Sequence, residues 1–206
     1  LLHINAGSEL ILRQLFDRFG QQVHLLTPTY PLFPEIARHH TETRLSPDRD
    51  FDFDLSKLGV PGGTTLVTIV NPNNPNGGIF DMAPLPALLR GHPDTMFLVD
   101  EAFIGLAGES VVKLVPEHPN LIVTRTLSKA HSLAGFRVGY AVLPEPIADA
   151  MNAGNDAYPL ARPSEAAAIA TLENEARIAA RLADLKAWTA TLAGELRALG
   201  VRTCPT

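Results

Sequence analysis

The chain has 206 residues, 46% of them hydrophobic and 19% charged, and a formal net charge of −5. That composition suits a globular protein long enough to bury a sizeable core, and it lacks both the basic footprint of a nucleic-acid binder and any block of like charge. Apolar runs such as Leu66–Val70 are too short to span a bilayer, "LLHINAGSEL" has no charged start or long apolar core of a signal peptide, and the single cysteine, Cys204, excludes an intrachain disulfide framework. A cytoplasmic protein is expected. A start at Leu1 and an end at "TCPT" fit an excerpt of a longer chain.

In chain order, period-2 and continuous apolar runs predict strands over Leu2–Asn5, Val23–Thr27, Glu42–Leu45, Thr65–Val70, Met96–Asp100, Leu121–Thr126 and Val138–Leu143. Helical stretches are predicted between them over Ser8–Phe19, Pro31–His40, with His39 and His40 at its end, Pro84–Arg90 and Pro146–Ala153. Strands alternating with helices imply a three-layer α/β unit with a mostly parallel, doubly wound sheet of about seven strands. From Ser164 to Leu199 the chain turns rich in Ala, Leu, Glu and Arg at helical spacing, with Ser164 as N-cap after Pro163. That stretch is long for one globular helix, so a break is expected near Glu173–Ala176. Residues 1–162 are thus expected to form the sheet domain and 163–206 a long helix leading onward.

Open parallel sheets bind ligands at the carboxyl ends of their strands, and the polar clusters fall there. "NAGSE" follows the first predicted strand, "PTY" the second, "NPNNPNGG" the fourth, "VDEAF" ends the fifth and "TLSK" follows the sixth. Taken alone, Lys129 is a solvated loop lysine; its company changes the reading. Thr126 and Ser128 offer hydroxyls and Arg137 a guanidinium fork, a set suited to a phosphate dianion, with Gly135 allowing close backbone approach. A lysine so placed can form an imine with a carbonyl cofactor such as pyridoxal 5'-phosphate. "NAGSE" opens a helix whose free N–H groups make an anion site, or else Ser8 is simply an N-cap. Asp100 closes a buried apolar strand and must meet a cation or strong donors. A pyridinium N–H, an arginine or a divalent metal would each satisfy it; Glu101 points to the opposite face, and the seven histidines show no zinc-ligand spacing, so no metal is expected.

"NPNNPNG", "VDEAF" and "TLSKAHSLAGFRVGY", in this order and at these separations, resemble the fold type I pyridoxal-phosphate aminotransferases, and most of all their histidinol-phosphate aminotransferase branch. "NAGSELI" and "TPTYPLF" are similar to two further segments of that family, so the resemblance runs from about Ile4 to the start of the long helix. It implies a transferase of amino-acid biosynthesis, a homodimer, moving an amino group between a small-molecule donor, an amino acid or amino alcohol phosphate, and a 2-oxo acid. Lys129 would hold the cofactor as an internal aldimine and shuttle the substrate proton, Asp100 would bind the pyridine nitrogen, Asn74 the ring hydroxyl, and Tyr30 would stack on the ring. Thr126, Ser128, Arg137 and the backbone of Gly7 and Ser8 would hold the phosphate.

Several positions depart from the family pattern. Phe103 stands where a tyrosine usually hydrogen-bonds the ring hydroxyl, leaving Asn74 as its protein partner; Asn76 replaces a threonine in a good Asn-Gly turn, and His131, read as a packed or exposed side chain, replaces an aromatic. The family's N-terminal arm and most of its small domain, with the arginine for the substrate carboxylate, have no counterpart in the sequence. Two alternatives stay open: a threonine-phosphate decarboxylase, with which Phe103 is compatible, and a non-catalytic domain that binds the cofactor as a regulator.

Overall fold

The structure, a computed structural model, describes residues 1–154 and 158–204; Pro205 and Thr206 of the closing "TCPT" lie outside the described residues. Its centre is a seven-stranded sheet in the order β1-β7-β6-β5-β4-β2-β3. The strands are β1 (Leu2–Asn5), β2 (Val23–Thr27), β3 (His40–Arg44), β4 (Leu66–Val70), β5 (Met96–Asp100), β6 (Leu121–Thr126) and β7 (Gly139–Val142). β7 alone runs against its neighbours, pairing antiparallel with both β1 and β6. The run "LVTIV" of β4 is buried at every position, and β5 nearly so, because a central parallel strand is covered on both faces.

Helices α1 (Ser8–Phe19), α2 (Leu32–Ile36) and α4 (Glu145–Ala153) pack on one face, where Ile11, Leu12, Leu15 and Phe16 of α1 meet Val70, Leu98 and Ile122 of the sheet. Helix α3 (Leu85–Gly91) and the loops around Leu55, Phe80 and Val115 cover the other, against Val67, Ile69, Phe97, Val99 and Val123. This is the expected three-layer α/β unit. Alternation along each strand sends successive side chains to opposite cores.

The edge differs from the sequence reading. The second helix stops at Ile36 rather than His40, and His40 instead opens β3, paired with Val23. β3 is a polar edge strand, "HTETR", largely exposed, so it has no apolar alternation to announce it, and the ladder to β2 sets its bounds. Ser164 is not the N-cap of the next helix, α5 (Arg162–Leu172); Ala161 is, and the Ser164 N–H donates to its carbonyl at 2.9 Å. Pro163 sits inside the first turn, where its missing N–H costs nothing. The long helical stretch breaks at Glu173 and Asn174 and resumes as α6 (Glu175–Ala198), which buries no residue. Within it, Arg181 bonds Ala130 O and Ser132 Oγ, and just past its end Arg202 reaches Asp50 Oδ1 at 2.6 Å.

Candidate functional site

The carboxyl ends of β2, β4, β5 and β6 and the start of α1 surround a cavity of about 150 Å³. It is lined by Ser8, Tyr30, Asn74, Asp100, Phe103, Thr126, Ser128, Lys129 and Arg137, all singled out from the sequence, and also by Glu9, Val70 and Ala102, which were not. Gly7 does not line it but backs it.

At the head of α1, Gly7 has φ +89°, and a Cβ there would fall 2.5 Å from an Arg137 terminal nitrogen. The guanidinium therefore lies directly on the backbone that opens the helix, an approach open only to glycine. Gly139 is equally constrained, since its Cβ would overlap Ser8 N at 2.1 Å. No side chain caps α1, whose first turn starts at the same Gly7 on which the guanidinium lies. Arg137 itself has φ +51° and ψ +61°, left-handed backbone that a non-glycine residue adopts at a cost. Across from it, Thr126 Oγ1 accepts from Ser128 N at 3.1 Å and lies 2.9 Å from Ser128 Oγ. Cation, helix start and two hydroxyls together make an anion cradle.

Asp100 ends β5 at 2% exposure. Its Oδ1 accepts from Ala102 N at 3.0 Å and from Thr124 Oγ1 at 3.1 Å, and among the described residues no cation pairs with it within 4 Å. Burial pushes this carboxyl up to about 6, with the Glu101 charge adding to it and the Thr124 and Ala102 donors and Lys129 opposing. Thr124 was missed in the sequence, although it lies on the same face of β6 as Thr126, two residues on. Glu101 points away, to Arg125 at 2.8 Å and Val111 N at 2.7 Å, so the two adjacent carboxylates do not converge.

Lys129 Nζ stands 5.3 Å from the centre of the Phe103 ring. Tyr30 packs edge-on to Phe33 at 5.8 Å, and burial, then Glu9 and Asp100, raises its phenol above the usual range. The "NPNNPNGG" loop is folded by its own amides: Asn71 Oδ1 accepts from Phe80 N at 2.9 Å, and Asn73 Nδ2 donates to Pro28 O and Asn76 Oδ1, each at 2.9 Å. Asn76 is a turn residue, its Oδ1 also accepting from Gly78 N at 3.1 Å. Asn74 is thereby left facing the cavity. His131 is half-buried and away from it, its Nδ1 without a hydrogen-bond partner, and burial with Arg181 and Arg125 holds it below the usual imidazole range. A second cavity of about 810 Å³ shares Asn74 and Phe103 with the first and is walled on its far side by α6, from Leu185 to Arg197.

The residues fit a phosphate-bearing heteroaromatic aldehyde. Asp100 is a buried carboxylate wanting a protonated partner, the glycine-backed cradle wants an anion, and an amine, Lys129, lines the same cavity. The cost of the unpaired Asp100 is itself measurable. A carboxyl raised from 3.8 to about 6 favours the folded chain when protonated, so its contribution is full below about pH 4 and is lost as pH rises through 6. In the cofactor-free chain, Asp100→Asn is expected to gain stability relative to wild type between pH 4.5 and pH 8, by about 2 kcal/mol. Urea unfolding at the two pH values checks this; a difference that does not change with pH would mean the carboxylate is solvated.

Residues 5–205 match the family described as aminotransferase class I and II. "Histidinol-phosphate aminotransferase 2" of Thiobacillus denitrificans is 39% identical over 98% of this chain and 58% of its own length. "Histidinol-phosphate aminotransferase 1" of Pseudomonas aeruginosa is 33% identical over 98% of this chain and 59% of its own. The chain thus spans somewhat over half the length of these relatives. Aspartate aminotransferase from Thermus thermophilus, solved with maleate, superposes with a TM-score of 0.85 at 23% identity, covering 99% of this chain and 59% of the other, which shows a shared fold.

Proposed function

The chain belongs to the class I and II aminotransferase family, whose members depend on pyridoxal 5'-phosphate, and on that premise we propose that it forms the cofactor-binding part of an aminotransferase. The substrates proposed are an amino acid or amino alcohol phosphate resembling histidinol phosphate and a 2-oxo acid. The observation that carries this is one cavity bounded by an amine, Lys129, a buried carboxylate without a cation, Asp100, and an anion cradle at Arg137.

Arg137, the Gly7–Ser8 backbone, Thr126 and Ser128 would hold the phosphate, Asp100 the ring nitrogen, Asn74 the ring hydroxyl, and Tyr30 and Phe103 the ring's surroundings. When bound, the cofactor supplies a conjugated ring that accepts the electrons of a bond broken at the substrate α-carbon. Lys129 Nζ would be both covalent anchor and the base that removes the α-proton and returns it. Asp100, kept charged by a protonated partner, would stabilise the positive ring nitrogen through the reaction. Residues 163–206, with α6 walling the second cavity, are proposed to lead into a smaller domain.

The protein is further proposed to be a cytoplasmic homodimer of amino-acid biosynthesis. The absence, among the described residues, of any helix long and apolar enough to cross a membrane is compatible with that. The test is a donor screen by absorbance, following loss of the lysine-bound cofactor's band, on histidinol phosphate, aromatic amino acids and threonine phosphate. Conversion by the first without carbon dioxide release is the expected result. Carbon dioxide from threonine phosphate would favour the decarboxylase, and inertness toward every donor a regulatory domain. The aminotransferase names of relatives 33 and 39% identical favour the first outcome.

A further inference from the structure

Glu101 is the most deeply buried carboxylate of the described residues, at 1% exposure, and the reaction outlined above makes no use of it. Its two oxygens are fully engaged. Oε1 accepts from Val111 N at 2.7 Å; Oε2 accepts from Ser110 Oγ at 2.8 Å and from Arg125 Nε at 2.9 Å, and Arg125 also reaches Ser110 Oγ. One carboxylate therefore ties together the two ends of the loop that leaves β5 at residue 101 and returns at 110–111. Arg125 ties that knot to β6, four residues before Lys129.

The loop so closed is pressed against the site. Gly105 has φ +91°, and a Cβ there would come 3.3 Å from Ala130 Cβ, beside Lys129; one at Gly108, with φ +76°, would touch Ile79 and Pro72 of the Asn-Pro loop. Phe103, within the same loop, carries the ring that lies 5.3 Å from Lys129 Nζ. A buried ion pair is a weak source of net stability and is better suited to fixing one arrangement of the elements it joins.

We propose that Glu101 and Arg125 are a positioning pair, holding the Ala102–Ser110 loop against the β6 exit so that the Phe103 ring confines Lys129 Nζ within the cavity. This rests on the reading of Lys129 as the amine that engages the cofactor. The pair touches neither cofactor nor substrate and acts only through Phe103 and Lys129. Losing it leaves the phosphate cradle intact, because Arg137, Ser8 and Thr126 share no hydrogen bond with it.

Glu101→Gln tests this, since the amide keeps an acceptor for Val111 N but presents an NH2 donor to Arg125 and Ser110 in place of the carboxylate oxygen that accepts from them. In the cofactor-free chain, hydrogen exchange across residues 102–111 is expected to speed up about tenfold while β4 and β5 stay protected. With cofactor, the rate at which borohydride traps it on Lys129 should fall about tenfold, while affinity for pyridoxamine phosphate, which has the phosphate and ring but no aldehyde, stays within about twofold. Phe103→Leu should lower trapping in the same way, and adding Glu101→Gln to it should lower it no further. Unchanged loop exchange, a parallel loss of pyridoxamine phosphate, or additive effects in the double variant would each overturn the positioning role. A wild-type chain that takes no label on Lys129 would instead overturn the reading of the cofactor site, so the two failures are told apart.

Discussion

Lys129→Ala is expected to abolish turnover while leaving the cofactor site able to bind. Among the four lysines of the sequence, at positions 57, 113, 129 and 186, only Lys129 lines the cavity that holds Asp100 and Arg137. Its amine is asked to serve twice, as covalent anchor and as proton carrier. General acid–base assistance alone is worth roughly 10² to 10⁴ in rate, so the combined loss should reach the background of the assay. Binding should persist because the contacts proposed for the cradle and for Asp100 do not involve the amine. Borohydride reduction of the wild-type protein with cofactor, followed by peptide mass mapping, should place the label on the peptide containing "TLSK". The alanine variant should show neither the label nor the lysine-bound absorbance. Label on Lys57, Lys113 or Lys186, or an alanine variant with ordinary turnover, would remove Lys129 from its role.

Arg137→Ala is expected to weaken cofactor affinity by about 1.5 to 3 kcal/mol, the scale of a charge-assisted hydrogen bond, or roughly ten- to 150-fold. The guanidinium lies against the Gly7 backbone at the uncapped start of α1, so its removal would leave the helix dipole and the Thr126 and Ser128 hydroxyls as the remaining proposed phosphate contacts. Pyridoxal, which has no phosphate, should bind wild type and variant nearly alike. Equal losses for both compounds would mean that Arg137 braces the β7–α1 contact and binds no phosphate. The control is needed because Arg137 occupies left-handed backbone, and alanine there removes a side chain without relieving the strain.

The sequence carried what is local. Continuous apolar runs identify β4 and β5 because a strand buried on both faces needs no alternation, and the stretch from Ser8 shows its apolar face at helical spacing, so α1 is found end to end. Where local signals were weak or misleading, neighbours decided. β3 is polar at an edge and took its bounds from pairing with β2, and Ser164 yielded the cap to Ala161 because Pro163 fits the first turn. The chemistry-bearing residues could be picked out one by one, since each sits at or just past the end of a strand, or, for Arg137, just before one, and no folding requirement explains its type. Their relations could not. That Arg137 lies on Gly7, some 130 residues earlier, follows from β7 pairing antiparallel with β1 at the sheet edge. That Asp100 meets Thr124, and Glu101 meets Arg125 instead of sharing a site with Asp100, follows from the register of β5 on β6 together with the two faces of one strand. Propensity and periodicity act over a few residues along the chain, whereas register, sheet order and burial act between segments far apart in it. The residue types at the site were therefore legible, and the partner of each carboxylate was not.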